Sequence, residues 1–177
     1  MKSLFGFTPM TVGILITTLS LGAAPAQTVR EVCPDPAAPC HQSYKRFAPY
    51  ELSFRLPKAV KPNVPYKSVT FYGVVLKVRS SGAVDECDQG EYSSKLERER
   101  KQVQVMFPKR KVFADQQCPD MAAVSYVIGG KSNTSSFLAV YGGRTLKEAQ
   151  QVLAKVKNKY RGAAIKPMQV VFEQIVQ

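Results

Sequence analysis

Runs of apolar residues with the composition of β-strands recur along the chain. Five of them predict strands, at Val69–Val78, Lys111–Asp115, Ala122–Ile128, Ser136–Tyr141 and Ile165–Val176. The glycine-rich segment Gly129–Ser135 lies between the third and fourth runs and is typical of a hairpin loop. We therefore predict that the third and fourth strands pair directly with each other.

Two other segments space their apolar residues as a helix does. The first, Glu91–Phe107, follows the first strand, and the second, Thr145–Tyr160, follows the fourth. Thr145 and Glu148 form a capping-box pattern at the start of the second helix, and Gly162 is a stop signal after it. At the end of the first helix the apolar residues also alternate with period two, so helix and strand both remain open for residues 102–107.

The two halves of this pattern are similar to each other. At an offset of 53 residues three apolar pairs coincide: Leu96 with Ala149, Val103 with Val156, and Phe107 with Tyr160. Two β-α-β units of this kind predict an α+β, ferredoxin-like fold in which a four-stranded antiparallel sheet carries both helices on one face. The other face of the sheet would then be uncovered, and we expect it to be the binding surface.

The N-terminal residues indicate an exported protein with three regions. Lys2, the apolar run Met10–Ala24 and the small residues up to Ala26 predict a signal peptide over residues 1–26. Residues 27–65 are rich in proline and aromatic side chains and predict an ordered or half-ordered, disulfide-stapled arm that packs onto another surface, with a solvated spacer as the alternative. Residues 66–177 contain both repeats. We expect a periplasmic or secreted protein with no stable membrane span after cleavage.

The charge balance is strongly positive, with 25 Lys and Arg residues against 13 Asp and Glu residues and a formal net charge of +12. In the cytoplasm such an excess would point first to nucleic acid. For an exported protein we expect no nucleic acid partner, because anionic wall polymers, glycans and membrane surfaces are the commoner ligands there. Lys155, Lys157 and Lys159 lie on the exposed side of the second helix and are predicted to supply salt-sensitive attraction.

The four cysteines favour disulfides over zinc in an oxidising compartment. Three pairings are possible, and the spacing favours Cys33 with Cys40 and Cys87 with Cys118. No paired zinc-site spacing occurs, and His41 is the only histidine, so we predict no metal site, no cofactor and no catalytic residues.

One stretch resembles a known family. The segment Phe137–Ile165 reads FLAVYGGRTLKEAQQVLAKVKNKYRGAAI, which is similar to the second repeat of the SPOR (sporulation-related repeat) domain. The matching features are a strand ending at Val140, a glycine turn, the Glu148-Ala149 pair opening the helix, and a strand after it. Thr70–Val75 occupies the corresponding place in the first repeat. The resemblance implies a β-α-β-β-α-β module whose sheet binds peptidoglycan glycan strands stripped of their stem peptides.

The residues that would bind a glycan follow from strand alternation. If Phe71 and Phe137 are core, then Tyr72 is exposed on its strand and Leu138 and Val140 on theirs, whereas Tyr141 shares the core side. We therefore expect a non-enzymatic cell-envelope module that binds peptidoglycan glycan strands through Tyr72, Leu138 and Val140. The alternative is an interaction protein that docks another envelope component through the sheet or the aromatic arm.

Overall fold

The computed structural model describes Val32 and residues 47–79, 94–115 and 124–173. Within these residues the chain forms seven strands and two helices. The strands are β1 Tyr66–Lys67, β2 Phe71–Arg79, β3 Val112–Asp115, β4 Val124–Ile128, β5 Lys131–Ser132, β6 Ser136–Gly143 and β7 Ala164–Phe172; the helices are α1 Ser94–Met106 and α2 Leu146–Val156.

All strands belong to one antiparallel sheet, in the order β3-β6-β2-β7-β4-β5, and β1 also pairs with β7. The predicted four-stranded sheet is therefore wrong, because β1, β4 and β5 add to it. The β4 strand lies on the outer side of β7, where Val124 pairs with Phe172 and Ile128 with Met168.

The predicted hairpin between the third and fourth strands is wrong, because β4 turns back to pair with β5 and not with β6. Gly129 and Gly130 adopt φ values of 59° and 82°, which a two-residue turn between antiparallel strands requires. This tight turn returns the chain from β4 to β5, where Ile128 pairs with Lys131. Strand β6 instead lies between β3 and β2, so the third and fourth predicted strands do not pair with each other.

Both helices form where helical spacing predicted them. Helix α1 continues to Met106, which resolves the choice over residues 102–107 in favour of helix for most of that segment. Helix α2 has the full capping box: the Thr145 hydroxyl accepts from the Glu148 N–H at 3.3 Å, and the Glu148 carboxylate accepts from the Thr145 N–H at 2.9 Å. The three residue pairs that coincide in the two repeats are all buried.

The two helices bury their apolar sides in one core cluster with the sheet. This cluster, the helix-side core, contains Val74, Leu76, Leu96, Val103, Phe107, Val112, Ala114, Leu138, Val140, Ala149, Val152, Val156 and Tyr160. Helix α2 approaches the sheet closely at Gly142, where an added Cβ would lie 2.6 Å from the Tyr72 carbonyl oxygen and 2.9 Å from the Ala149 Cβ. Glycine is needed there because no side chain fits between strand and helix.

The opposite face of the sheet is covered by residues 47–65, so the expectation of an uncovered face is wrong. Leu52, Phe54 and Leu56 are at most 1% exposed. They belong to a second cluster, the arm-side core, which also contains Phe71, Phe113, Tyr126, Phe137, Tyr141, Met168 and Phe172. The part of the predicted arm that the structure describes is therefore integrated into the same folded unit as residues 66–173.

Hydrogen bonds fix this covering segment, residues 47–65, to the sheet. The Leu52 N–H donates to the Tyr126 hydroxyl at 3.1 Å, and the Ala114 N–H donates to the Tyr50 carbonyl at 2.9 Å. The second bond satisfies a donor on the open side of β3, which is an edge strand. Covering an edge in this way removes a site at which another strand would otherwise pair.

Candidate binding surface

The residues predicted to bind a glycan do not form an accessible surface. Leu138 and Val140 are 0% exposed and lie in the helix-side core, and Tyr72 is half-buried against the same core. The strand alternation itself is as expected, because Phe71, Phe137 and Tyr141 share the other side. The expectation failed because a second layer covers each face of the sheet, so Leu138 and Val140 cannot contact a ligand in this structure.

Two aromatic side chains of the arm pack in the protein's own core. Phe54 is fully buried, and the partly buried Phe47 ring packs against the rings of Phe54 and Phe172 at centroid distances of 5.6 and 5.4 Å. These two side chains therefore stabilise the arm-side core.

The predicted basic residues of the second helix are exposed. Lys155 lies in the last turn of α2, Lys157 is its C-cap, and Lys159 follows in the turn. Positive charge at this end of a helix is favourable, because the carbonyl groups there carry the negative end of the helix dipole. That local role accounts for the presence of lysine but leaves the side chains free to extend into solvent.

The structure brings one of these lysines together with a residue from the first repeat. The Lys159 Nζ lies 5.6 Å from the centre of the Tyr160 ring, and the Lys77 Nζ lies 5.8 Å from the same centre. Both ammonium groups therefore lie near one aromatic ring, at a distance where cations are attracted to its π-electrons. Lys77 comes from the end of β2, 82 residues before Lys159.

A carboxylate organises this meeting point. The Glu99 carboxylate of α1 forms an ion pair with the Lys77 ammonium, with N–O distances of 2.7 and 3.0 Å. It also accepts a hydrogen bond from the Tyr160 hydroxyl at 3.2 Å. Partial burial raises the pKa of Glu99, but the hydrogen bond and charge of Lys77 outweigh it, so the pKa is lowered overall. Burial and the negative charge of Glu99 raise the pKa of Tyr160 to about 12. At neutral pH the Tyr160 phenol is therefore neutral and the Glu99 carboxyl is ionised.

A shallow depression lies beside this cluster. It is lined by Lys77, Arg79, Leu96, Glu99, Ser136, Phe137 and Leu138, and its volume is about 10 Å³. That volume is near the minimum needed for one water molecule and is too small for a sugar ring. A ligand at this place would therefore lie on the surface, in contact with the exposed Lys77 and Arg79 side chains.

We call Lys77, Arg79, Lys155, Lys157 and Lys159 the basic surface. The sequence suggested the last three but not the first two, because Lys77 and Arg79 belong to a strand far from the second helix in the chain. A signal was nevertheless present: both are polar positions that alternate with Val78 at the end of an apolar strand. Arg100, one turn after Glu97 in α1, is by contrast buried and bonded to that carboxylate at 2.6 and 2.7 Å.

Several sequence-based predictions concern residues outside the described part of the chain. These are the signal peptide, His41 and the four cysteines Cys33, Cys40, Cys87 and Cys118, so the leader and the disulfide pairing stay predictions. Among the described residues no group of three or more His, Cys, Asp or Glu side chains is placed to hold a metal ion. None of the helices in the described ranges is long and apolar enough to cross a membrane.

Comparison with protein-family models, with curated proteins and with solved structures found no match for this chain.

Proposed function

We propose that this protein is a non-enzymatic module of the cell envelope that holds an anionic glycan on its basic surface. The observation that carries the proposal is the convergence of Lys77 of β2 and Lys159, which follows α2, on the Tyr160 ring. Arg79 follows Lys77 by two residues, Lys155 and Lys157 precede Lys159 by four and two residues, and all three side chains are exposed. Glu99 is the acidic group at its centre, and its charge is already balanced by Lys77.

The chemistry of a stripped glycan strand suits such a surface. Removal of a stem peptide by an amidase leaves a free carboxylate on the lactyl group of the sugar, so the stripped strand is a regularly spaced polyanion. Lys and Arg side chains attract carboxylates over long range and form charge-assisted hydrogen bonds at contact. The SPOR resemblance favours the same ligand, but the proposed contact surface differs from the sheet face that the resemblance implied.

The test is a pull-down of the full chain on purified peptidoglycan sacculi, before and after amidase treatment. We expect binding to increase after stripping, because stripping frees the lactyl carboxylate on the glycan strand itself. The variant Arg79→Gln/Lys155→Gln/Lys159→Gln should lose most of this binding. The matched control, Lys58→Gln/Lys61→Gln/Lys131→Gln, removes three exposed lysines elsewhere on the molecule and should retain it.

Two outcomes would contradict the proposal. Equal loss in both triple variants would mean that total charge, not the basic surface, determines binding. Binding that is unchanged by stripping would show that the protein does not recognise the carboxylate of the glycan. Circular dichroism of both variants should match the wild type, because every substituted side chain is exposed and surface substitutions of this kind typically alter stability by about 0.5 kcal/mol or less.

A further inference from the structure

Apolar side chains are exposed at the end of the helix pair that is remote from the basic surface. Val105 and Met106, in the last turn of α1, are 82% and 41% exposed, and Leu146, the first residue of α2, is 49% exposed. Val105 follows the fully buried Val103 by two residues, which turns it about 200° around the helix, away from the sheet. Val78 is a further large apolar side chain exposed in the described residues, at the end of β2.

The contacts of Arg110 relate these two helix ends to each other. The Arg110 Nη1 donates to the Gly142 carbonyl at 2.9 Å and to the Tyr141 carbonyl at 3.4 Å. The hydrogen bonds of Thr145 are the main cause of the lowered pKa of Glu148 in the first turn of α2, and the positive charge of Arg110 contributes to it. The residues that follow α1 therefore lie against the turn that precedes α2, and we call Val105, Met106 and Leu146 the apolar tip.

Positive charge surrounds the apolar tip. Lys109, Arg144 and Lys147 are exposed on the two segments that carry it. In the sequence ranges 103–111 and 142–150 the only acidic residue is Glu148. Its carboxylate accepts hydrogen bonds from the backbone N–H groups of Arg144 and Thr145 and from the Thr145 hydroxyl.

We propose that the apolar tip docks on the surface of a membrane that contains anionic lipids. Aliphatic side chains would enter the boundary between headgroups and acyl chains, and Lys109, Arg144 and Lys147 would remain among the anionic headgroups. A protein partner fits less well, because protein interfaces are rich in aromatic residues and poor in lysine. Three aliphatic side chains bind weakly alone, so the lysine and arginine rim is the required second source of attraction. This inference does not depend on the glycan proposal.

The chain contains no tryptophan, so a single Trp reports on one position. We would prepare Val105→Trp, Leu146→Trp and, as a control at an exposed strand position, Ser125→Trp, all in the full chain with the same N-terminus. Each is titrated with vesicles of phosphatidylcholine alone and of phosphatidylcholine with phosphatidylglycerol. We expect a blue shift of the emission for Val105→Trp and Leu146→Trp with the anionic vesicles, little shift with the neutral ones, and none for Ser125→Trp.

A second substitution tests the basic rim. Adding Lys109→Gln, Arg144→Gln and Lys147→Gln to the Val105→Trp variant should weaken its binding to anionic vesicles by about tenfold or more. Adding Lys58→Gln, Lys61→Gln and Lys131→Gln instead should leave the binding close to that of the parent variant. The absence of a shift at position 105, or an equal shift for Ser125→Trp, would overturn the proposal. A shift at position 105 that grows with protein concentration without vesicles would assign the apolar tip to self-association and would also overturn it.

Discussion

The hydroxyl of Tyr160 donates a hydrogen bond of 3.2 Å to Glu99, 61 residues earlier in the chain. Tyr160 follows α2 and Glu99 lies in α1, so the bond joins the chain around the two helices at the point where Lys77 and Lys159 lie near the Tyr160 ring. Lys77 reaches the same carboxylate from β2, and therefore three elements of the fold meet there. The position of Lys77 beside Lys159 consequently depends on the carboxylate of Glu99.

Replacing Tyr160 by Phe should test the hydrogen bond between Tyr160 and Glu99. The ring stays in the core, and the loss of one hydrogen bond to a charged group should lower the free energy of unfolding by about 1–3 kcal/mol. The pKa of Glu99 should rise, because the Tyr160 hydroxyl helps to lower it. Urea unfolding measures the first effect and NMR titration of the Glu99 carboxyl carbon the second. An unchanged Glu99 pKa would show that the hydrogen bond does not form in solution.

Replacing Gly142 by Ala should strongly destabilise the protein. The new methyl group would overlap the Tyr72 carbonyl oxygen and the Ala149 side chain, so α2 would have to move away from the sheet. Overpacking of this kind costs about 1–3 kcal/mol, measurable by thermal unfolding. Gly162→Ala is the matched control, because an added Cβ at Gly162 meets nothing within 4 Å and its φ is not in the left-handed region. If both variants melt at the same temperature, the close approach of α2 to the sheet is not rigid.

Replacing Phe54 by Ala should show that the covering segment is structural. Phe54 is completely buried between the sheet and the Phe47 ring. Its truncation should lower the free energy of unfolding by about 3–5 kcal/mol. Lys58→Ala, an exposed position of the same segment, should change it by at most about 0.5 kcal/mol. A cost for Phe54→Ala as small as that of the control would mean that the segment is a solvated spacer.

Local patterns in this chain predicted local structure, but not which distant segments meet. The capping box of Thr145 and Glu148 fixed the start of α2 because all its partners lie within one turn. Strand β4 was recognised, but its pairing with β7 joins residues 40 to 48 positions apart, and the strand period carries no information about that choice. The arm was expected to pack, but its sequence did not indicate that a face of the sheet is its partner. Leu52, Phe54 and Leu56 do alternate with period two, yet the run between Pro49 and Pro57 is too short to show which surface these side chains cover.

The same reasoning explains the outcome for the candidate site. Alternation correctly placed Tyr72 and Phe71 on opposite faces of the sheet, but it does not distinguish an exposed face from one that a second layer covers. The exposure of Lys155, Lys157 and Lys159 was predictable because it follows from the helical period of α2 alone. The addition of Lys77 to that group needed the tertiary contact with Tyr160.

Salt should separate the basic surface from the sheet as the source of binding. The variant Lys155→Gln/Lys157→Gln/Lys159→Gln should bind stripped sacculi more weakly than the wild type at low salt, and the difference should nearly vanish at high salt, because exposed charges are screened beyond about 8 Å at physiological ionic strength. Tyr72→Ala should lower stability and leave the binding of the folded protein unchanged, since Tyr72 packs against the helix-side core. Loss of binding by folded Tyr72→Ala at every salt concentration would return the binding site to the sheet.

The stability of the protein should fall between about pH 4.5 and pH 7. Glu51 is 8% exposed and lies near the equally buried Asp115. Burial and the charge of Asp115 raise the pKa of Glu51 from its ordinary 4.5 to about 7, against the opposing effects of the Ala48 N–H bond and Lys111. Between these two pH values the folded protein keeps a proton that the unfolded chain has lost, so the free energy of unfolding decreases as the pH rises. The full effect is about 3 kcal/mol at most.

Lys111 should produce the opposite change at higher pH. Burial and the charge of Arg100 lower its pKa from 10.5 to about 8, so the folded protein loses this proton before the unfolded chain does, and stability should rise between about pH 8 and pH 10.5. The stability curve should therefore have a minimum near pH 7–8. In Glu51→Gln the amide oxygen can still accept from the Ala48 N–H. The fall in stability between about pH 4.5 and pH 7, the acidic limb of the curve, should disappear in this variant, while the rise above about pH 8, the alkaline limb, remains. Urea midpoints across this pH range measure both limbs, and an acidic limb that persists unchanged in Glu51→Gln would show that another group holds the proton.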